Sequence, residues 1–165
     1  MTIRPLLQWP DKRLRTVAAD VASVTDAERA IWDDMIDTMD RVPGVGLGAN
    51  QIGVMQRLAV VDTSEARDKR IRMANPVVID ASAVMREYDE ASPCLPGVSA
   101  KISRPRGVKV QYLDETGAEV TRDFVGLEAV SVQHQIDHLA GKMYFDNLSK
   151  TRRDMLLRRA RKLGG

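Results

Sequence analysis

Trp32, Met35, Ile36 and Met39 recur at i, i+3, i+4 and i+7, the spacing of one helical face. Thr25 and Glu28 stand just before them at capping-box separation, so the pattern predicts an amphipathic helix opening at Thr25. Pro43 and Gly44 break the period and stop it near Val42. The stretch Gly44 to Gly53 holds four glycines and reads as a tight loop. Short β-rich runs follow at Leu58 to Val61, Val77 to Ile79, Val108 to Leu113 and Val120 to Val125, the last two joined across Asp114-Glu115-Thr116-Gly117 as a hairpin. Ser82 to Arg106 contains three prolines and the only Cys, so part of it is expected to be loop. A second helix is expected from about Glu128 to Ala140, with Gly141 as its C′ residue, and a third from Ser149. Helix, strands, then helices, without β-α-β alternation, predict an α+β fold with antiparallel pairing.

Composition narrows this further. A chain of 165 residues and 18.3 kDa fits one domain, 1–165, with a core that needs no staples. A single Cys excludes a disulfide framework and any four-Cys zinc module and points to a reducing compartment. Lys and Arg total 25 against 23 Asp and Glu, a balance that gives no case for wholesale nucleic-acid or DNA binding. The charge is unevenly placed: Lys150 to Gly165 has seven basic residues against the single Asp154, so 149–165 is a basic helix on a mildly acidic body. No apolar run approaches the ~18 residues of a membrane span, and the N-terminus lacks a leader pattern. A soluble, cytoplasmic protein without membrane contact is expected. Aromatics are only 4%, so the core is expected to be aliphatic.

The chemistry concentrates in Gln133-His134-Gln135-Ile136-Asp137-His138. Residues four apart on a helix share a face, so the only two histidines of the chain can grip one metal ion. Metallohydrolases with this spacing carry Glu after the first His, as general base for the metal-bound water. Here that residue is Gln135, and an amide takes up no proton near neutral pH.

Gly44 to Gly53, Glu90 to Gly97 and Gln133 to His138 resemble the three motifs of peptide deformylases, in the same order and at similar spacing. Trp9 to Arg15 and Gly141 to Asp146 extend the likeness over nearly the whole chain. The resemblance implies an α+β fold with antiparallel sheets packed around a central metal-site helix, flanked by N-terminal and C-terminal helices. It implies a cytoplasmic iron or zinc enzyme that removes the formyl group from N-terminal formyl-methionine of nascent chains. Metal ligands would be His134, His138 and Cys94 or Ser92; Gln51 would stabilise the oxyanion, and Gly46, Leu47 and Leu95 would line the substrate site.

The departures lie in the same motifs. Gly48 and Asn50 replace the family's Ala and Pro but leave Gln51 in place. The second motif normally reads Glu-Gly-Cys-Leu-Ser-x-Pro-Gly, with Cys as third ligand and the Leu N–H as an oxyanion donor. Without gaps, Ser92 falls on the ligand, Pro93 on the donor and Cys94 on the family's Ser. Proline has no N–H to give. Sliding by two restores Cys94-Leu95 to the motif but requires compensating indels in a tight loop, so the ungapped register is preferred. The site then keeps two imidazoles and a neutral hydroxyl, and the metal is iron or zinc if the third ligand is in place and none otherwise. Two readings follow: a deformylase-like protein with the groove for formyl-methionyl peptides and weak or lost hydrolysis, or an active deformylase with Cys94 as ligand. Cys94 paired with a histidine as a nucleophile is a third, weaker reading. The resemblance also implies ribosome contact through the C-terminal helix, with Arg152, Arg153, Arg158 and Arg159 as the facing residues, although such a helix is equally read as a solvated surface.

Overall fold

The computed structural model describes residues 1–164; Gly165, the last residue of the expected basic helix, lies outside them. Thr25 opens α1 (Asp26–Met39): its hydroxyl accepts from the Ala27 N–H, and the Glu28 carboxylate accepts from the Thr25 N–H at 2.7 Å. The helix stops three residues short of Val42, where Asp40 is already the cap. β1 (Gly46–Gly48), β2 (Leu58–Val61), β3 (Ile71–Ala81), β6 (Gly107–Leu113) and β7 (Glu119–Val125) form one antiparallel sheet in the order β1-β2-β3-β6-β7. β4 (Met85–Ser92) and β5 (Leu95–Pro105) form a separate two-stranded sheet. Two long helices follow, α2 (Gly126–Leu139) and α3 (Lys150–Leu163), the latter capped by the Ser149 side chain. This is the expected α+β arrangement with antiparallel sheets.

Two segments differ from the expectation. The glycine-rich stretch is not all loop: Gly46 and Gly48 pair with Val61 and Ala59, and Ala49–Ile52 makes one 3-10 turn, closed by Gly53 at φ 80°. The span 82–106 is mostly strand, pairing from Met85↔Pro105 to Glu90↔Ala100. Its prolines sit where a ladder tolerates them, in the turn (Pro93) and on a ribbon whose outer edges have no ladder partner (Pro96, Pro105). Exposed residues in both phases of β4 hide its alternation from a sequence reading.

Side-chain alternation decides how the layers stack. In β2, Leu58 and Val60 pack with Trp32, Met35 and Met39 of α1, while Ala59 and Val61 pack with Ala129, Val132 and Leu139 of α2. A third cluster joins Leu14, Leu95, Ile102, Tyr144, Phe145 and Leu156, so α3 and the N-terminal segment close over the β4-β5 ribbon. The core is not purely aliphatic: Trp32, Phe124, Tyr144 and Phe145 are among its fully buried side chains. Gly141 ends α2 at φ 76°, and a Cβ there would stand 2.6 Å from the Arg15 carbonyl oxygen, so only glycine lets the chain cross at that point. The outcome places α2 between the sheet and the ribbon, with one face turned toward each.

Candidate active site

On α2, His134 and His138 present their rings to the ribbon with Nε2 atoms 3.1 Å apart. His134 lines a cavity of about 570 Å3 together with Gly46, Gln51, Glu90, Ser92, Pro93, Leu95 and Gln135. His138 is fully buried beside it. Glu90 Oε1 lies 2.8 Å from His134 Nδ1, which fixes the proton on that nitrogen and leaves the Nε2 lone pair facing His138. Tyr144 stacks on the outer face of the His134 ring at 5.9 Å between centroids.

A buried guanidinium holds this carboxylate. Arg104 donates to both Glu90 oxygens, at 2.6 and 2.9 Å, and to Asp137 Oδ2 at 2.9 Å. Burial alone would push the Glu90 carboxyl up; the hydrogen bonds from His134 and Arg104 reverse that and hold it below the usual glutamate value. Sequence reasoning did not find Arg104, yet a signal existed. It falls in phase with Val98 and Ile102 on β5, where a charge on the buried side of a strand demands a partner.

His138 is held well below the ordinary imidazole value, first by burial and then by the charges of His134 and Arg104. A neutral buried His binds fewer protons than it does unfolded, so stability falls as pH drops below the ordinary value of 6.5. Urea unfolding at pH 7.5 and 5.5 is expected to show a loss approaching about 1.4 kcal/mol per pH unit in that window. A flat profile would contradict it.

The second motif is placed by the turn between β4 and β5. Ser92 Oγ stands 3.4 Å from His138 Nε2 and accepts from the Cys94 N–H at 3.3 Å. Cys94 Sγ accepts from Gln51 Nε2 at 3.4 Å; the residue is 1% exposed, and burial pushes its thiol up. A buried thiol held up in this way is a weaker nucleophile at neutral pH, which counts against a Cys-His mechanism. Gln51 is locked in turn, because its Oε1 accepts from the Gly48 N–H at 2.8 Å. Backbone bonds from Leu7 N to the Gln51 carbonyl and from Trp9 N to the Cys94 carbonyl, both 2.8 Å, tie the first two motifs together through the N-terminal segment. Asn50, another residue whose part was not foreseen, donates to the His138 carbonyl at 2.6 Å and fastens the 3-10 turn to α2.

Gly46 and Leu95 line the cavity, whereas the Leu47 side chain is fully buried among α1 and β2 side chains, because strand alternation turns it away from its glycine neighbours. A Cβ on Gly46 would meet Gln135 Nε2 at 2.6 Å and Ser131 Oγ at 2.5 Å, which explains the bare backbone there. Gln135 is 5% exposed and its Oε1 has no partner; His138 Nδ1 also lacks one. A buried polar atom without a partner costs roughly 1–3 kcal/mol of unrecovered desolvation, and Trp32 Nε1 and Gln56 Oε1, away from the cavity, share that condition. Of the four α3 arginines expected to face the ribosome, Arg152, Arg158 and Arg159 are exposed, whereas Arg153 is half-buried and lies 3.8 Å from Asp146.

Could these residues hold a catalytic metal? Two imidazole nitrogens converge as two vertices of a tetrahedron. The third is a neutral hydroxyl, and no group of three or more His, Cys, Asp or Glu side chains suited to a metal ion occurs among the described residues. Catalytic zinc sites take three protein donors from His, Cys and carboxylates. The donor set is one anionic ligand short and does not fit a tightly held catalytic metal.

Fold and site define an α+β protein of hydrolase architecture, in which one helix presents paired imidazoles to a largely apolar cavity. Residues 3–154 match the family described as Polypeptide deformylase. A peptide deformylase of Rhizobium meliloti is 41% identical over 96% of this chain and 92% of its own length, and one of Teredinibacter turnerae is 39% identical over 98% and 96%. Among solved structures, a peptide deformylase from Legionella pneumophila superposes with a TM-score of 0.93 at 36% identity, covering 99% of this chain and 96% of its own. One from Ehrlichia chaffeensis in complex with actinonin gives 0.92 at 33%, covering 98% of each. The chain belongs to the peptide deformylase family. That family is metal-dependent, which makes the incomplete donor set here the main difference to be explained.

Proposed function

We propose that this chain binds N-terminal formyl-methionyl peptides in the cavity beside α2 and hydrolyses them weakly or not at all. The observation that carries the reading is Gln135, whose amide stands next to the paired imidazoles where a hydrolase of this architecture needs a carboxylate. General acid–base help is commonly worth ~10²–10⁴ in rate, and an amide supplies none. Ser92 in the ligand register and Pro93, without an N–H, remove a third anionic ligand and one oxyanion donor from the same few ångströms. What remains suits binding. Leu6, Val45, Leu95, Val98 and Val130 give the cavity an apolar wall for a methionine side chain. With its Oε1 held by the Gly48 N–H, Gln51 presents an Nε2 engaged only by a weakly accepting sulfur, so a formyl oxygen can replace that sulfur with little loss. The Gln135 amide offers a neutral partner to the same formamide, and Glu90, the buried carboxylate of the cavity, is already engaged by Arg104 and His134 and is not free for an α-ammonium. The reading therefore favours blocked over free N-termini.

Isothermal titration with formyl-Met-Ala-Ser, combined with formate release and metal analysis, tests this. Saturable binding of the formylated peptide is expected, with weaker binding of Met-Ala-Ser and turnover at least ~10²-fold below the 1–10³ s⁻¹ of ordinary enzymes. Stoichiometric metal with ordinary turnover would overturn the reading.

A further inference from the structure

A second concavity, of about 270 Å3, lies between β5 and α3 and shares no lining residue with the imidazole cavity. Its walls include Leu148, Met155 and Leu156, with Lys101, Arg152 and Arg159 exposed around them. On the same helix Lys150 meets Asp154 at 2.7 Å and Arg153 meets Asp146 at 3.8 Å, while Arg158, Arg161 and Lys162, outside the groove, make no ion pair among the described residues. Among the described residues, none of the three groove cations has a carboxylate within 4.0 Å. The groove thus combines three unpaired positive charges with an apolar floor, and Met155 remains 54% exposed on it.

Spacing narrows the occupant. Arg152 and Arg159 are seven residues apart, about two turns or ~10 Å along the helix. An extended peptide places residues i, i+2 and i+4 on one face with ~13 Å between the outer two, a span that two flexible arginine side chains reach. Acids at i and i+4 would meet the arginines while an apolar residue at i+2 covers Met155 and Leu156.

We propose that this groove docks an acidic peptide segment of the pattern acid-x-apolar-x-acid, with Lys101 facing it from β5. The family resemblance directs the same arginines to the phosphates of ribosomal RNA. An RNA backbone, however, offers no aliphatic group for Met155 and Leu156, whereas an acidic peptide satisfies both the charges and the floor. Complementarity of charge, with an apolar centre inside a charged rim, is the usual make-up of a protein docking site. This inference does not depend on what the imidazole cavity binds.

Fluorescence anisotropy with labelled acetyl-Glu-Ser-Leu-Ser-Glu amide at low ionic strength tests it. Saturable binding that weakens with salt is expected. Replacing both arginines (Arg152→Glu with Arg159→Glu) should weaken it by roughly tenfold or more, since two exposed pairs turn into repulsions. Replacing Leu by Ser in the peptide should weaken it severalfold, and Lys150→Glu, outside the groove, should leave it nearly unchanged. The altered side chains are exposed, so circular dichroism should show the same melting temperature. Absence of saturable binding, indifference to the arginine reversals, or equal affinity of the Ser peptide would overturn the proposal. So would binding of an oligouridylate RNA through these arginines without binding of the peptide, which would identify the partner as RNA.

Discussion

Metal content near one ion per chain, and deformylation raised by at least ~10²-fold, are expected for the double variant Ser92→Cys with Gln135→Glu. Each change supplies one missing element. A thiolate at position 92 would stand where Ser92 Oγ now lies, 3.4 Å from His138 Nε2, and would complete a three-donor set with the paired imidazoles. Glu at 135 is nearly isosteric with the present amide, so the bare Gly46 backbone accommodates it without a new clash. Neither change alone should do as much. A buried carboxylate with no metal beside it stays protonated, and a metal without a base activates water poorly. Adding Pro93→Leu restores a backbone N–H beside the cavity, a donor worth roughly 3 kcal/mol when it meets an oxyanion. Metal analysis after dialysis separates the two halves of the argument. If Ser92→Cys takes up no metal while its circular dichroism is unchanged, the register that puts residue 92 at the imidazoles is wrong.

What the sequence made legible was local. Thr25 with Glu28, the run Leu58 to Val61, and two histidines four apart are short-range patterns, and each appears as the element it suggests. The ribbon of β4 and β5 was harder to read, because its three prolines and mixed exposure resemble a loop until pairing across it is known. Cooperation at a distance was not legible at all. Arg104 and Glu90 are 14 positions apart and Asn50 and His138 are 88 apart, and nothing in either neighbourhood announces the other. Leu47 illustrates the complementary difference between motif and placement. A motif resemblance placed it at the substrate, while the two-residue period of a strand turns it into the core.

Arg104→Met is expected to lower the unfolding free energy by about 3–5 kcal/mol at neutral pH, out of the 5–15 kcal/mol typical of a whole domain. The side chain is 5% exposed and Glu90 is equally buried, so removing the guanidinium strands a carboxylate in the interior. Asp137, less buried, can turn to water and adds little. The sign of the pH dependence follows from Glu90. Its folded value lies below 4.5, so its contribution is fully present above 4.5 and is lost as pH falls through the folded value. Without Arg104, burial dominates and pushes the carboxyl up, so the variant tends to carry Glu90 protonated. The stability gap between the two proteins should therefore be widest at neutral pH and shrink as pH drops through 4.5. Adding Glu90→Gln to Arg104→Met removes the stranded charge, and the double variant should lose less than the sum of the single losses. Urea unfolding of the four proteins from pH 7 to pH 4 measures both effects. Additive losses with a constant gap would mean that the pair contributes only packing, and that His134 is oriented by the α2 backbone and the Tyr144 ring without help from a charged partner.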